Sequence, residues 1–271
     1  MRAWAWLLCG ALVAGAAALA FTGNDRGAGP PLAATVIRTP TATPTPADPR
    51  EAEYATLTQL RAGINIAKFE EALGSAYFIR GSKDGAFIEK TFRGPGRGDP
   101  AARPDYWVQA VQDSLGTVQL MAVTSCAPDF NPEFNGPAGN YTLNKSTFAS
   151  APDRMPTELR YLTSGATANS YYYDHYYFGN PGYYKDFFVG IDDACPEQLD
   201  DASLKVIFDT VKFGKPIPFK DATDPAFKAF REKSIVNTYA ETAPLARLAD
   251  ILAAFQIGAD RILVRTAPFR D

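Results

Sequence analysis

The sequence predicts an α+β fold. Three observations carry that prediction: helical patterning is grouped at two places, strand patterning is grouped between and beyond them, and no regular strand-helix alternation runs along the chain. A length of 271 residues with 46% hydrophobic and 13% aromatic side chains is enough to bury a sizeable core in one or two domains. The 27 basic and 30 acidic side chains are spread along the chain without long runs of one sign and leave a net charge of -3, which argues against nucleic acid as a partner.

Residues 1–22 read as a membrane or export segment. Arg2 gives a short positive start, and Ala3 to Phe21 follow without a charge, with Trp4, Trp6, Leu7, Leu8, Leu12, Val13 and Leu19 among many alanines. As a helix rising about 1.5 Å per residue, that stretch spans roughly 30 Å, the thickness of the hydrocarbon core of a bilayer. Ala18-Leu19-Ala20 fits the small-x-small rule for signal peptidase, so secretion after cleavage near Ala20 is the alternative to a retained single-pass anchor. The unbroken apolar run before it favours the anchor. Cys9 follows Leu8, where a lipobox wants a small residue, so no lipid attachment is read there. With Arg2 inside, everything after Thr22 is placed outside the cytoplasm, and the membrane becomes the first expected partner.

Residues 23–50, GNDRGAGPPLAATVIRTPTATPTPADPR, repeat Thr-Pro steps that favour extended backbone and offer no apolar period to bury. They form a spacer. Its thirty or so exposed residues make most sense if something stays in the membrane to be spaced from.

The first folded unit, 51–127, opens with Tyr54, Leu57 and Leu60 at helical spacing. A second short helix carries Ile66, Phe69 and Leu73, with Asn65 as its cap and Gly74 at its end. Three strands are predicted next, over Ala86 to Phe92, Tyr106 to Val111 and Val118 to Thr124, the last two joined by a turn through Asp113 to Gly116. The loop between the first two contains Arg97-Gly98-Asp99, a tripeptide that Gly- and Pro-rich loops produce by chance.

The second unit, 128–271, is read as packed with the first. It contains the most unusual stretch of the chain, YYYDHYYFGNPGYYKDFFVGIDDAC. Asn180-Pro181-Gly182-Tyr183 places Pro and Gly at the central positions of a type II turn, so two aromatic strands fold back on each other there. On the first arm Tyr171, Tyr173, His175 and Tyr177 share one face, and Tyr172, Asp174, Tyr176 and Phe178 share the other. Further on, Asp224 and Pro225 start a helix carrying Phe227, Phe230 and Ser234. Thr242 starts another with Leu245, Leu248, Leu252 and Phe255, which Gly258 ends, and Arg261 to Arg265 add a last strand.

His175 is the single histidine, so any Ser-His-Asp or Cys-His arrangement must run through it, with Asp174 or a distant carboxylate orienting it. A lone histidine between tyrosines on a strand is more often a hydrogen-bonded sheet residue, and no nucleophile elbow is present. Asp192, Asp193, Glu197, Asp200 and Asp201 are the densest acidic group, read as solvated loop acids with a weak calcium site as the alternative, although their spacing does not match an EF-hand loop. Gly94 to Gly98 lack the lysine and hydroxyl of a phosphate loop. No catalytic residue, cofactor or metal ligand is assigned.

Two cysteines, Cys126 and Cys195, fall in the folded part, without a CxxC or Cys/His grouping. In an oxidising compartment a disulfide between them is the default reading, and two separate buried thiols are the alternative. Closing a loop of about 70 residues would stabilise the fold by roughly 4 kcal/mol in the chain-entropy model.

The hairpin carries the functional expectation. Tyrosine rings with a polar tip supply contact area at low entropic cost, so Tyr171, Tyr173, His175, Tyr177 and Tyr183 are the candidate binding residues, provided the patch is exposed and not core.

GINIAKFEEALGSA followed by a meander resembles the helix-loop-helix and sheet unit of outer-membrane assembly lipoproteins of the SmpA/BamE type and of β-lactamase inhibitory protein. That segment, together with YTLNKSTF, YYFGNPGYYKDF and VNTY at Val236 to Tyr239, resembles a bacterial envelope family named for an enterotoxigenic Escherichia coli locus, over most of residues 55 to 265. The resemblance implies a membrane-anchored exported domain and carries over no catalytic residues. The expected function is therefore that of a non-enzymatic cell-envelope module that binds a protein partner, with cell-wall glycan binding through the tyrosine face, or an unrecognised hydrolase, as alternatives.

Overall fold

The computed structural model describes residues 49–95, 104–136, 139–150, 155–164, 169–193, 199–212 and 214–260. The N-terminal segment, the spacer up to residue 48, Arg97-Gly98-Asp99, Cys195, Glu197 and the strand expected at Arg261 to Arg265 lie outside the described residues. No described helix is long and apolar enough to cross a membrane. The described residues all fall in one compact unit, which starts at Pro46.

Helix α1 (Pro49–Gln59) turns Leu57 fully into the interior, and α2 (Ile66–Leu73) does the same with Phe69. Burying each such side chain stabilises the fold by roughly 1.5–3 kcal/mol. The ends of α2 follow the local chemistry of its sequence: the Asn65 side chain accepts from the Ala67 N–H, and the Gly74 N–H reaches the Glu70 carbonyl at 2.9 Å. Strand β1 (Phe78–Gly81) was not expected from the sequence, because it is four residues long and leaves Ile79 66% exposed. The predicted meander is present as β2 (Phe87–Arg93), β3 (Tyr106–Asp113) and β4 (Val118–Ser125), with the Gly116 N–H closing the β3–β4 turn onto the Asp113 carbonyl.

A small ribbon, β5 (Glu133–Gly136) with β6 (Gly139–Thr142), precedes a second meander of β7 (Glu158–Ser164), β8 (Asn169–Phe178) and β9 (Lys185–Asp192). Then come α3 (Asp201–Thr210), the two-residue β10 (Ile217–Pro218), a single 3₁₀ turn (Phe219–Asp221) and α4 (Pro225–Lys233), capped by the Asp224 carboxylate as expected. The chain continues through β11 (Thr238–Thr242) to α5 (Leu248–Ala254).

Two expectations need correction here. Thr242 does not start a helix. It ends β11, and its hydroxyl accepts from the Asp186 N–H at 2.9 Å, so strand pairing has taken the residues that an amphipathic helix would have used. Helix α5 is accordingly short and ends at Ala254, where the Phe255 N–H closes onto Ile251, well before Gly258.

Nine strands form a single antiparallel sheet in the order β1-β2-β3-β4-β11-β9-β8-β7-β10. The late strand β11 sits between the two meanders and pairs with both: Tyr239 lies opposite Val123 on β4 and Val189 on β9. The two predicted units therefore share one sheet. One face carries Phe92, Met121, Val123, Tyr172, Val189 and Tyr239 and is covered by α1 to α4 and the β5–β6 ribbon, whose Phe134 stacks on Tyr239 at 4.6 Å. The other carries Phe87, Val111, Leu120, Phe188 and Ala240 beneath α5 and the segment through Ile257. Covering both faces explains why β3, β4, β9 and β11 are buried almost without alternation.

Candidate functional site

The aromatic hairpin of β8 and β9 places different chemistry at its root, its middle and its tip. The turn forms as its sequence requires: the Tyr183 N–H donates to the Asn180 carbonyl at 2.8 Å, and Gly182 takes φ +87°, which a side chain would resist. Gly190 lies opposite Tyr173, and a Cβ there would stand 2.1 Å from the Tyr173 ring. The glycine lets the ring lie flat over the neighbouring strand.

At the root, Tyr171 and Tyr173 are fully buried, which removes them from the exposed binding face expected of them. The reason is the C-terminal segment beyond α5, which covers this face of the sheet. The Tyr173 hydroxyl donates to the Ile257 carbonyl at 2.6 Å, and Gln256 Nε2 donates to the Tyr171 hydroxyl at 3.0 Å. Burial pushes the Tyr173 phenol well above its ordinary range.

In the middle, His175 is 5% exposed and held at both ring nitrogens, Nδ1 to Glu158 Oε1 at 2.8 Å and Nε2 to Asp186 Oδ1 at 2.7 Å. Its ring stacks on Phe188 at 4.6 Å. Burial alone lowers the histidine pKa, but the bonds to Asp186 and Glu158 outweigh it, so His175 titrates above its ordinary value and the form in which both nitrogens donate is favoured. The bond to His175 in turn lowers the Glu158 carboxyl against the opposing effect of burial. Arg160 adds a second cation on Glu158, and Thr242 bonds Asp186 at 3.3 Å. An imidazolium with both N–H groups donating to carboxylates has no lone pair with which to accept a proton. The cluster is a clamp across β7, β8, β9 and β11. Distant carboxylates orient the histidine; Asp174 does not.

Asp174 points to the opposite face, where it pairs with buried Arg231 of α4. The Tyr172 hydroxyl donates to Asp174 at 2.8 Å, and Tyr176 lies at 3.4 Å from its other oxygen and 3.0 Å from the Tyr141 hydroxyl. Arg231 Nη1 also donates to the Tyr172 hydroxyl at 3.1 Å. Burial pushes Tyr141 up to about 12, and it raises Tyr172 and Tyr176 as well.

The tip is where the hairpin meets solvent. Tyr177 is 50% and Tyr183 71% exposed, and Tyr177 stacks on half-buried Tyr184 at 5.2 Å and 17°. Leu245, 71% exposed, joins them because its N–H donates to the Tyr184 carbonyl at 3.2 Å. It adopts φ +59°, an unusual left-handed conformation for a branched apolar residue, held by the turn between β11 and α5. Of the five predicted binding residues, the structure leaves Tyr177 and Tyr183 exposed near the hairpin tip, and it buries Tyr171, Tyr173 and His175.

The acidic group also divides. Asp192 and Asp193 are buried and not solvated as expected, Asp200 caps α3 through the Ser203 N–H at 2.8 Å, and Asp201 lies in the first turn of that helix. Among the described residues no group of three potential metal ligands converges. Cys126 is buried beside Trp107 and Ala259, and its expected partner lies outside the described residues.

Sequence reading did not find Glu158, Asp186, Arg231 and Leu245. The first three are joined to the hairpin only by strand pairing or by the docking of α4. For Leu245 a signal was present: Pro244 directly precedes it, and a proline marks a turn as readily as the start of a helix. Comparison of the chain with protein-family models, with curated proteins and with solved structures gives no match.

Proposed function

We propose that this chain is an extracytoplasmic envelope module that binds a protein partner through the tip of its aromatic hairpin. The observation that supports this reading is the cluster of Tyr177, Tyr183, Tyr184 and Leu245, two of whose members are 71% exposed at one end of the sheet. Tyrosine is among the residue types enriched at protein-protein hot spots, and Leu245 adds apolar contact area beside them. The exposed aliphatic side chain of Leu245 at the same tip offers a sugar's hydroxyls nothing to bond, so a partner with an apolar socket suits the tip better than cell-wall glycan. The extracytoplasmic address rests on the apolar segment ahead of Thr22, on the Thr-Pro spacer and on the resemblance of residues 55 to 265 to the bacterial envelope family.

The test is affinity capture from an envelope extract on the purified unit from Pro46 onward, compared with a Tyr183→Ala, Leu245→Asp double variant. Both substitutions are on exposed side chains, so folding is expected to survive. Loss of two hot-spot residues should weaken capture by more than roughly 30-fold. Equal capture by both proteins would remove the reading, and retention on insoluble cell-wall glycan that depends on Tyr183 would favour the glycan alternative.

A further inference from the structure

A second site lies away from the hairpin tip. A groove of about 800 Å³ opens between α4, the 3₁₀ turn after β10 and the start of β7. Its walls are apolar, with Phe148, Met155, Pro156, Pro218 and Phe219 as the main surfaces. Met155 is 71% exposed at the margin, and an unbranched thioether there adapts to a guest without a fixed shape.

The charge at this groove is uneven. Three cations line it, Lys220, Lys228 and Arg231, against one carboxylate, Glu232. Arg231 is spoken for: Asp174 neutralises it from beneath, and its guanidinium lies 4.8 Å from the Phe219 ring centre and 5.5 Å from that of Phe148, which makes it part of the floor. Lys220 and Lys228 are exposed, and neither makes an ion pair among the described residues. The result is an apolar trough with two uncompensated ammonium groups beside it. Grooves of this volume are of the size that encloses most of a small ligand.

We infer that this groove binds an amphipathic carboxylate, an acyl or aryl chain lying along Phe148, Met155 and Phe219 with its carboxylate at Lys220 and Lys228. An apolar chain removes the walls from water, and the anion completes the charge that Glu232 leaves unbalanced. An alkylammonium of the same length has the wrong sign for the two lysines, and the neutral alcohol gains only the apolar part.

Calorimetric titration of the unit from Pro46 onward with decanoate, decanol and decyltrimethylammonium, all below their micelle concentrations, tests this. Decanoate should bind most tightly. A Lys220→Glu, Lys228→Glu variant should lose roughly tenfold in decanoate affinity and leave decanol unchanged. Thr223→Trp, an exposed substitution on the groove lining, should block both. Unchanged circular dichroism and melting temperature would show that each variant is folded. Absence of decanoate binding, equal binding of decyltrimethylammonium, or binding unaffected by Thr223→Trp would overturn the inference.

Discussion

At the scale of single residues, the two ionic clusters flanking β8 respond differently to pH and to mutation. His175 has its pKa raised in the folded state, so the stability it adds is fully present below its ordinary value of 6.5 and is lost as pH rises through the folded value. Glu158 has its pKa lowered, so its contribution is present above its ordinary value of 4.5 and is lost as pH falls through the folded one. The cluster is therefore at full strength between those two pH values. Melting curves should show the cluster's contribution at its largest there and declining as pH rises above it, and His175→Gln should flatten the alkaline part of that profile. On the other face, Asp174 and Arg231 form a buried pair. Asp174→Asn or Arg231→Met alone should each cost about 3–5 kcal/mol in denaturant unfolding, because each leaves one buried charge uncompensated, and the double change should cost less than the sum. None of these partners was legible in the sequence. Glu158 and Asp186 stand 17 and 11 positions from His175, and only the β7–β8 and β8–β9 registers bring them to it.

At the scale of elements, local chemistry was readable and non-local pairing was not. The caps of α2 and α4 and the type II turn of the hairpin depend on residues next to one another, and the sequence shows all three. Strand β11 depends on two distant meanders. Its five residues, Thr238 to Thr242, are all buried, yet they include Glu241 and two threonines, so they show neither alternation nor a continuous apolar run. Several of their polar groups find distant partners: Glu241 Oε1 accepts from the Ala62 N–H at 2.9 Å, and Thr238 donates to Thr124 at 3.2 Å. A strand that joins both halves should be the last to open. Native-state hydrogen exchange should find the β11 amides among the slowest, at the free energy of global unfolding, and Tyr239→Ala should cost about 3–5 kcal/mol through the cavity it leaves. Gly190→Ala should be destabilising by about 1–3 kcal/mol, since the new methyl would meet the Tyr173 ring.

At the scale of the whole molecule, one sheet runs through both of the units that the sequence suggested. A single cooperative unfolding transition is therefore expected from circular dichroism and from tyrosine fluorescence alike. The α+β class and the first meander were visible in advance, because grouped helices and short strand-forming runs bounded by turns are local patterns; the fusion through β11 was not. The register also bears on the cysteines. Thr124 and Gly190 both pair with Thr238, so β4 and β9 run the same way on either side of β11. Cys126 follows the last residue of β4 directly, and β9 finishes at that same end of the sheet, three sequence positions before Cys195. We propose that the two cysteines are bonded, and intact mass after alkylation without reductant should show no label on the exported protein. The central claim, that the hairpin tip holds a protein partner, is tested most directly by a photo-crosslinking amino acid placed at Tyr183 of the full chain in intact cells, with Phe208 on α3 as the control position. A discrete protein adduct from position 183, absent from position 208, is the predicted result, whereas no adduct from 183, or the same adducts from both, would contradict it.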